Sequence, residues 1–308
     1  MPGVIYVTCT SVGRALIQAH LRYFPEIEIP LIINLSYEKG INKSNFDPLD
    51  DLCKQNSIRM HRCDSVNEKL TLKLLSKIKP KIIIQSGWSQ KFCDELLSIP
   101  TYGCIGEHPS PIPIGRGAAC VNWAILEGVK KWGDTFFRMT SQYDRGDVLH
   151  QSYFDITDND TCKTVYEKIA VAGYSAIKLN LKNWYENSFS SIKIDESKAS
   201  YYKRRTPEDG LIDFSKPAKE IHRLIRAITK PYPGAFFLHQ GMKFFVWDAD
   251  TDLVLNKKVS ASPGTFINLD NNGLQIQCGD NYLLNIKRMS SDFIPETNPQ
   301  IFFELFNK

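Results

Sequence analysis

The stretch Gly103–Leu149 reads GCIGEHPSPIPIGRGAACVNWAILEGVKKWGDTFFRMTSQYDRGDVL. It opens on a short run, Gly103–Gly106, with the character of a strand. It turns through His108-Pro109-Ser110 and passes a Pro113-x-x-Arg116-Gly117 loop. Two further strand-like runs follow, Thr135–Thr140 and Val148–Ile156, joined by a turn at Asp144–Gly146. His108 therefore lies just past a strand end, where open α/β sheets place their sites.

The segments before this stretch alternate. Ile5–Cys9 reads as a buried strand and Ser11–Tyr23 has helical spacing. Pro30–Leu35, Arg59–Cys63 and the Ile-rich Lys81–Gln85 are further strands. Pro48–Gln55, Glu68–Ile78 and Phe92–Ile99 are helices between them. Such alternation predicts an open, mostly parallel, Rossmann-like sheet with helices on both faces. The turn after the first strand, TCTSVGR, contains no G-x-G-x-x-G, and no G-x-x-x-x-G-K-[ST] occurs, so NAD and ATP lose their main support.

Beyond the opening stretch, Thr164–Tyr185 is a long amphipathic helix. Glu186–Ser200, rich in Ser, Lys and Asn, reads as a linker. Ser215 is placed to cap a helix running to about Ile228, which Pro231 and Pro233 prevent from continuing. From Ala235 onward, short strands with turn signals at Gln240-Gly241, Pro263-Gly264 and Asn272-Gly273 fit a small β-barrel. The expected division is residues 1–190 and 191–308.

At 308 residues and 43% apolar, the chain can bury a sizeable core. Its net charge of +4 is too modest for a dedicated nucleic-acid binder and suits an anionic small substrate. The eight cysteines include no C-x-x-C pair, which argues for reduced thiols and against a zinc ribbon or redox motif. MPGVIYVTCT begins a strand at once, and no apolar run has transmembrane length. The cytoplasm is the expected compartment, with no membrane partner.

His108 is suited to proton transfer near neutral pH; a structural turn histidine is the other reading. Asp144 could hold an imidazole in one tautomer and raise its pKa, or bond its own turn backbone. Glu107 could accept a second proton, bind a cationic amine, or be an ordinary paired carboxylate.

The order Gly103-Cys104-Ile105-x-x-His108-x-Ser110, Pro113-x-x-Arg116-Gly117, Trp123-Ala124-Ile125, Gly133-Asp134-Thr135 and Asp144-x-Gly146-x-Val148 resembles the signature of the 10-formyltetrahydrofolate-dependent formyltransferases. A second block, RRTPEDGLIDF from Arg204 to Phe214 with Ile225-Arg226-Ala227 and PYPGAF from Pro231, resembles the sugar-nucleotide N-formyltransferases. The segment from Pro263-Gly264-Thr265 resembles the small C-terminal, OB-like barrel of the wider family. The resemblance implies formyl transfer from 10-formyltetrahydrofolate to the amine of a nucleotide-linked amino sugar for a surface glycan. It implies His108 as acid and base, with Asp144 orienting it and no metal. It carries the donor site onto Gln90, Lys91 and Phe92 and onto Thr140, Ser141, Gln142 and Tyr143. Trp88 would wall the site. For the substrate, Asn122, Arg116, Arg204 and Arg205 are candidates, and a homodimer through the C-terminal region is expected. The resemblance also admits a methionyl-tRNA formyltransferase or a non-catalytic binding protein. The barrel stretch, with Asp248, Asp250, Asp252 and Asp270 against Lys257 and Lys258, is not evidently basic, which counts against tRNA.

One position departs from the family pattern. Where the family has a catalytic Asn two residues before the His, this chain has Gly106. Three readings follow. Asn122, Gln85, Ser86 or Gln90 could supply the missing oxyanion donor. A backbone N–H or a water could occupy the space. Or the chain binds without catalysing.

Overall fold

The structure, a computed structural model, describes residues 2–251, 260–270, 273–302 and 306. Strands β1 (Val4–Thr8), β2 (Ile32–Leu35), β3 (Met60–Cys63), β4 (Ile82–Ser86) and β5 (Cys104–His108) lie in the order β3-β2-β1-β4-β5, all parallel. After the two-residue β6 (Arg116–Gly117), the antiparallel strands β7 (Lys131–Arg138) and β8 (Val148–Asp155) extend the sheet beyond β5. Strand order reverses between β1 and β4, as the predicted Rossmann-like layout requires.

The helices are α1 (Ser11–Tyr23), α2 (Tyr37–Gly40), α3 (Asp50–Gln55), α4 (Lys69–Ile78), α5 (Asp94–Ser98), α6 (Cys120–Leu126) and α7 (Cys162–Tyr185). Runs such as Val4-Ile5-Tyr6-Val7 and Ile82-Ile83-Ile84 are apolar at every position because both faces of the sheet are covered. On one face Val4, Tyr6, Ile82, Ile84 and Phe136 pack against Leu16 and Ile17 of α1 and Ile177 and Leu181 of α7. On the other, Ile5, Val7, Ile83 and Cys104 pack against Leu72 and Leu75 of α4 and Leu96 of α5.

Several boundaries move. His108 is the last residue of β5, one pleat inside the strand, because its backbone pairs with Thr135 of β7. The segment Glu186–Ser200 contains no free tether among its described contacts. The Ser200 carbonyl accepts from Arg116 N, and the strand that follows, β9 (Tyr201–Tyr202), pairs in parallel with β6. Ser215 caps no helix; its amide and hydroxyl both donate to Asp213. Helix α8 (Ala218–Ile228) instead starts after Pro217, and the Asp280 carboxylate accepts from its first amide, a cap brought from far along the chain.

The chain divides into two compact units that are not contiguous in sequence. One comprises Met1–Cys120, Lys131–Asp155 and Tyr166–Lys203; the other Val121–Lys130, Ile156–Val165 and Arg204–Lys308. The second contains an antiparallel sheet of β10 (Ala235–His239), β11 (Met242–Thr251), β12 (Phe266–Asp270), β13 (Gly273–Gln277) and β14 (Leu283–Ser291), in the order β10-β11-β14-β13-β12. Among the described residues no ladder joins β10 to β12, so the expected closed barrel is replaced by an open sheet. Register shifts in β11 beside β14 coil it, and the Phe237 ring of β10 comes within 6.3 Å of Phe266 of β12. Asp252, Lys257, Lys258, the Asn272 turn position and the Asp270 side chain lie outside the described residues.

Candidate active site

Strand alternation sorts the candidates on β5 before any loop is considered. Gly106 and His108 share one face, and Glu107 points to the other. His108 is 7% exposed. Its Nε2 lies 2.9 Å from the Gly115 carbonyl oxygen, and its Nδ1 lies 3.6 Å from Asp144 Oδ1. Both ring nitrogens thus face acceptors, an environment that suits the imidazolium. Burial opposes that charge, but the Cys120 sulfur, the Asp144 carboxylate and the Gly115 carbonyl outweigh it and push His108 up to about 10.

Asp144 is held from three sides. Its φ is +48°, its Oδ2 accepts from Gly117 N at 2.8 Å, and its carbonyl accepts from Arg116 Nε at 2.7 Å. Gly146 completes the turn at φ +144°, where a Cβ would stand 1.8 Å from the Arg138 carbonyl oxygen. Arg116 is wholly buried. Its two terminal nitrogens donate to the two oxygens of Glu196, each at 2.7 Å, in the bidentate geometry that suits guanidinium and carboxylate. The Tyr201 hydroxyl accepts from Arg116 at 3.3 Å and from Arg145 Nη2 at 2.7 Å. Arg145 and then Arg116 hold the Tyr201 phenol below its usual range. Arg116, expected to read phosphate, is instead an internal clamp on the Asp144 turn.

Gly106 leaves no vacancy. A Cβ there would lie 2.8 Å from Phe137 Cζ and 3.0 Å from Met139 Cγ, so the Phe137 ring and Met139 occupy the place of a side chain and of the water considered for it. The polar replacements offered by the sequence are committed elsewhere. Gln85 donates to the Trp88 carbonyl, Gln90 to the Asp64 carbonyl, Ser86 to Glu107, and Asn122 to the Ala227 carbonyl.

Glu107 is not beside His108. It sits on the opposite face with Ser86, whose hydroxyl donates to Oε2 at 2.7 Å. Asp134 of β7 stands against it, 1% exposed. Neither Asp134 oxygen nor Glu107 Oε1 receives a protein donor. Burial first, and the Glu107 charge second, hold the Asp134 carboxyl well above the usual carboxylate range. Two such acids stay in contact only if one keeps its proton.

Of the donor-side residues, Phe92 is a core side chain and Trp88 is buried. Gln90 is fixed by the Asp64 carbonyl and by Val66 N. Lys91, Ser141, Gln142 and Tyr143 are exposed, and Thr140 donates to the Arg145 carbonyl. Asn122, Arg204 and Arg205 belong to the second unit. There Arg205 stacks over Trp123 at 5.1 Å and donates to the Asp209 carbonyl, while Arg204 is exposed. Glu196, Tyr201, Arg145 and Asp134 were missed by the sequence reading. Glu196 sat in a polar stretch without periodicity, and Asp134 inside a strand.

A buried histidine paired with a partly exposed carboxylate at the carboxyl end of a Rossmann-like sheet places the protein in the class of α/β enzymes with a proton-transfer centre. Two family models narrow the class: one described as formyl transferase matches residues 36–181, and one described as formyl transferase, C-terminal domain, matches residues 204–296. The chain belongs to the formyl transferase family. It is similar to the bifunctional polymyxin resistance protein ArnA of Wigglesworthia glossinidia brevipalpis, 34% identical over 214 residues, which are 70% of this chain and 32% of that protein. The chain thus spans about a third of the length of this curated relative. Among solved structures, WlaRD, a sugar 3N-formyl transferase determined in the presence of dTDP and 5-N-formyl-THF, aligns with a TM-score of 0.67 at 21% identity, covering 93% of this chain and 97% of that one. The N-formyltransferase of Helicobacter canadensis in complex with folinic acid and dTDP-3-aminofucose aligns with a TM-score of 0.69 at 18% identity, covering 93% and 99%. HypX of Aquifex aeolicus aligns with a TM-score of 0.69 at 17% identity, covering 99% of this chain and 48% of that one. At these identities the structural likeness shows a shared fold. Among the described residues no helix is long and apolar enough to cross a membrane.

Proposed function

We propose that this chain forms an amide between a formyl group and the amine of a nucleotide-linked amino sugar, with His108 moving the protons. The observation that carries this reading is the pairing of the buried His108 with Asp144 at the strand end, clamped through Arg116. 10-Formyltetrahydrofolate would supply the formyl group. The rim beside the Asp144 turn suits such a donor: Tyr143, 59% exposed, offers an aromatic face, and exposed Ser141 and Gln142 offer hydrogen-bonding edges. Lys91 is an exposed cation on the donor-side segment.

The acceptors facing both ring nitrogens support one order of proton transfers. His108 begins as the imidazolium, so it acts first as an acid toward the leaving nitrogen. It then recovers a proton from the new amide nitrogen, and the ring returns to its starting state. Asp144 stabilises the charged form. With Gly106 in place of a side-chain donor and the nearby amides committed elsewhere, the His108 cation offsets negative charge developing on the formyl oxygen, for which its Nε2 exchanges the Gly115 carbonyl for the substrate. The coiled C-terminal sheet supports reading it as an incompletely closed, OB-like barrel. The test is incubation of the purified protein with 10-formyltetrahydrofolate and a panel of TDP- and UDP-linked amino sugars, followed by mass spectrometry. A mass gain of one formyl group on a sugar is expected. Binding of both compounds with no formylated product from any member of the panel would overturn the catalytic reading.

A further inference from the structure

We propose that His61, Cys63 and Glu68 form a binding site for a single zinc-class divalent ion at the β3 edge of the parallel sheet. Residues 61 and 63 are two apart on β3 and so share one face. The chain then returns through residues 64–67, and Glu68 stands immediately before α4. One ligand atom from each of the three side chains lies within 4.8 Å of the others, and His61 Nε2 is 3.8 Å from Glu68 Oε1.

Zinc bonds of about 2.0–2.3 Å set tetrahedral ligand atoms roughly 3.3–3.8 Å apart. Closing the site therefore needs a movement of roughly 1 Å. His61 Nε2 and Glu68 Oε1 already meet that spacing, so the movement lies in the approach of these two partly exposed side chains to the Cys63 sulfur. Cys63 is the most deeply buried of the three. The wholly buried Thr71 hydroxyl, 2.9 Å from His61 Nε2 and 3.4 Å from Glu68 Oε1, lies among them as a neutral oxygen. One nitrogen, one sulfur and one carboxylate oxygen select zinc or a neighbouring transition metal over magnesium and calcium, which prefer all-oxygen sets.

The position gives the ion a task. Cys63 and Glu68 bracket the loop 64–67, and that loop props the segment after β4. Gln90 donates to the Asp64 carbonyl, Val66 N donates to Gln90, Asn67 donates to the Lys91 carbonyl, and Cys93 N donates to Asn67. An ion held by Cys63 and Glu68 fixes both ends of this loop and so stiffens residues 90–93. His108 is four strands away, roughly 19 Å at ordinary strand spacing, so the ion takes no part in proton transfer there. The site stands independently of the formyl-transfer reading.

The test is titration of chelator-stripped protein with Co²⁺, read by absorbance, and with Zn²⁺ in competition with a chromophoric chelator. One equivalent of Co²⁺ should bind with a thiolate-to-metal charge-transfer band. Cys63→Ser should lose the band, and Glu68→Ala, at a partly exposed position, should weaken Zn²⁺ binding by a factor of about 100. Zinc should also slow hydrogen exchange across 64–67 and 90–93 in the wild type and not in Glu68→Ala. Absence of the band in the wild type, its persistence in Cys63→Ser, or unchanged zinc affinity in a Glu68→Ala protein with wild-type circular dichroism would each overturn the site.

Discussion

On one face of β5, the Asp144 carboxylate and the Arg116 guanidinium lie at the ends of a connected set of donors and acceptors. Gly117 N, Arg116 Nε, Glu196 and Tyr201 leave each of their charges answered. On the other face, Glu107 and Asp134 are buried more deeply than Asp144, and three of their four oxygens have no protein donor. The difference lies in what covers each face. At the strand ends beside His108, loops from residues 115–117, 144–146 and 196–201 supply backbone amides and long polar side chains. The opposite face lies under α1 and α7, where a Cβ added to Gly173 of α7 would stand 3.8 Å from Asp134 Oδ2 with the apolar Leu16 and Phe136 beside it. A buried charge beside loops becomes a site, whereas one beneath helices must keep a proton.

The largest effect should come from the answered face. His108→Ala should cut formyl transfer by a factor of about 10⁴ with an unchanged urea midpoint, since proton transfer and charge stabilisation are both lost. Turnover near the wild-type rate would end the proposed role. Asp144→Asn should lower kcat by a factor of about 10³ and move the alkaline limb of the pH profile downward. The sign follows from the raised His108 value: the imidazolium is present below about 10 and lost above it, and removing the carboxylate lowers that point. An unmoved limb would mean that Asp144 does not support the cation.

Arg116→Met tests the clamp. It should lower kcat by a factor of about 100 through a displaced Asp144, while KM for the sugar changes little. A rise in KM with unchanged kcat would return Arg116 to phosphate binding. The smallest effect belongs to the unanswered face. Asp134→Asn should raise stability by about 1–2 kcal/mol at neutral pH, because the amide can donate to Glu107 where two acids compete for one proton. A raised folded pKa means that Asp134 is least costly when protonated. The penalty grows as pH rises from its ordinary 3.8 toward the folded value. The gain in urea midpoint over wild type should therefore shrink toward pH 4, and a uniform loss at all pH values would sink the idea.

The parallel sheet was legible in the chain because its strands are apolar at consecutive positions and its helices have their own period. His108 and Asp144 were legible as residues because a strand end and a glycine turn mark them. Two departures from the local reading, at Arg116 and Ser215, share a cause. Arg116 looked like a ligand for phosphate because its partner Glu196 is 80 residues away in a stretch with no periodicity. Ser215 looked like a helix cap because the true acceptor, Asp280, is brought by the second sheet. Glu107 was drawn toward the site by its neighbour His108, although one step along a strand reverses the side chain's face.

The sequence by itself determined the layered α/β sheet, the strand that ends in His108 and the turn that presents Asp144, because periodicity and glycine act over a few residues. Only the tertiary structure decided which polar atoms have partners. Those pairings join Arg116 to Glu196, Glu107 to Ser86 and His61 to Glu68 and leave Asp134 without a donor, and they depend on which loops and helices cover each face of the sheet.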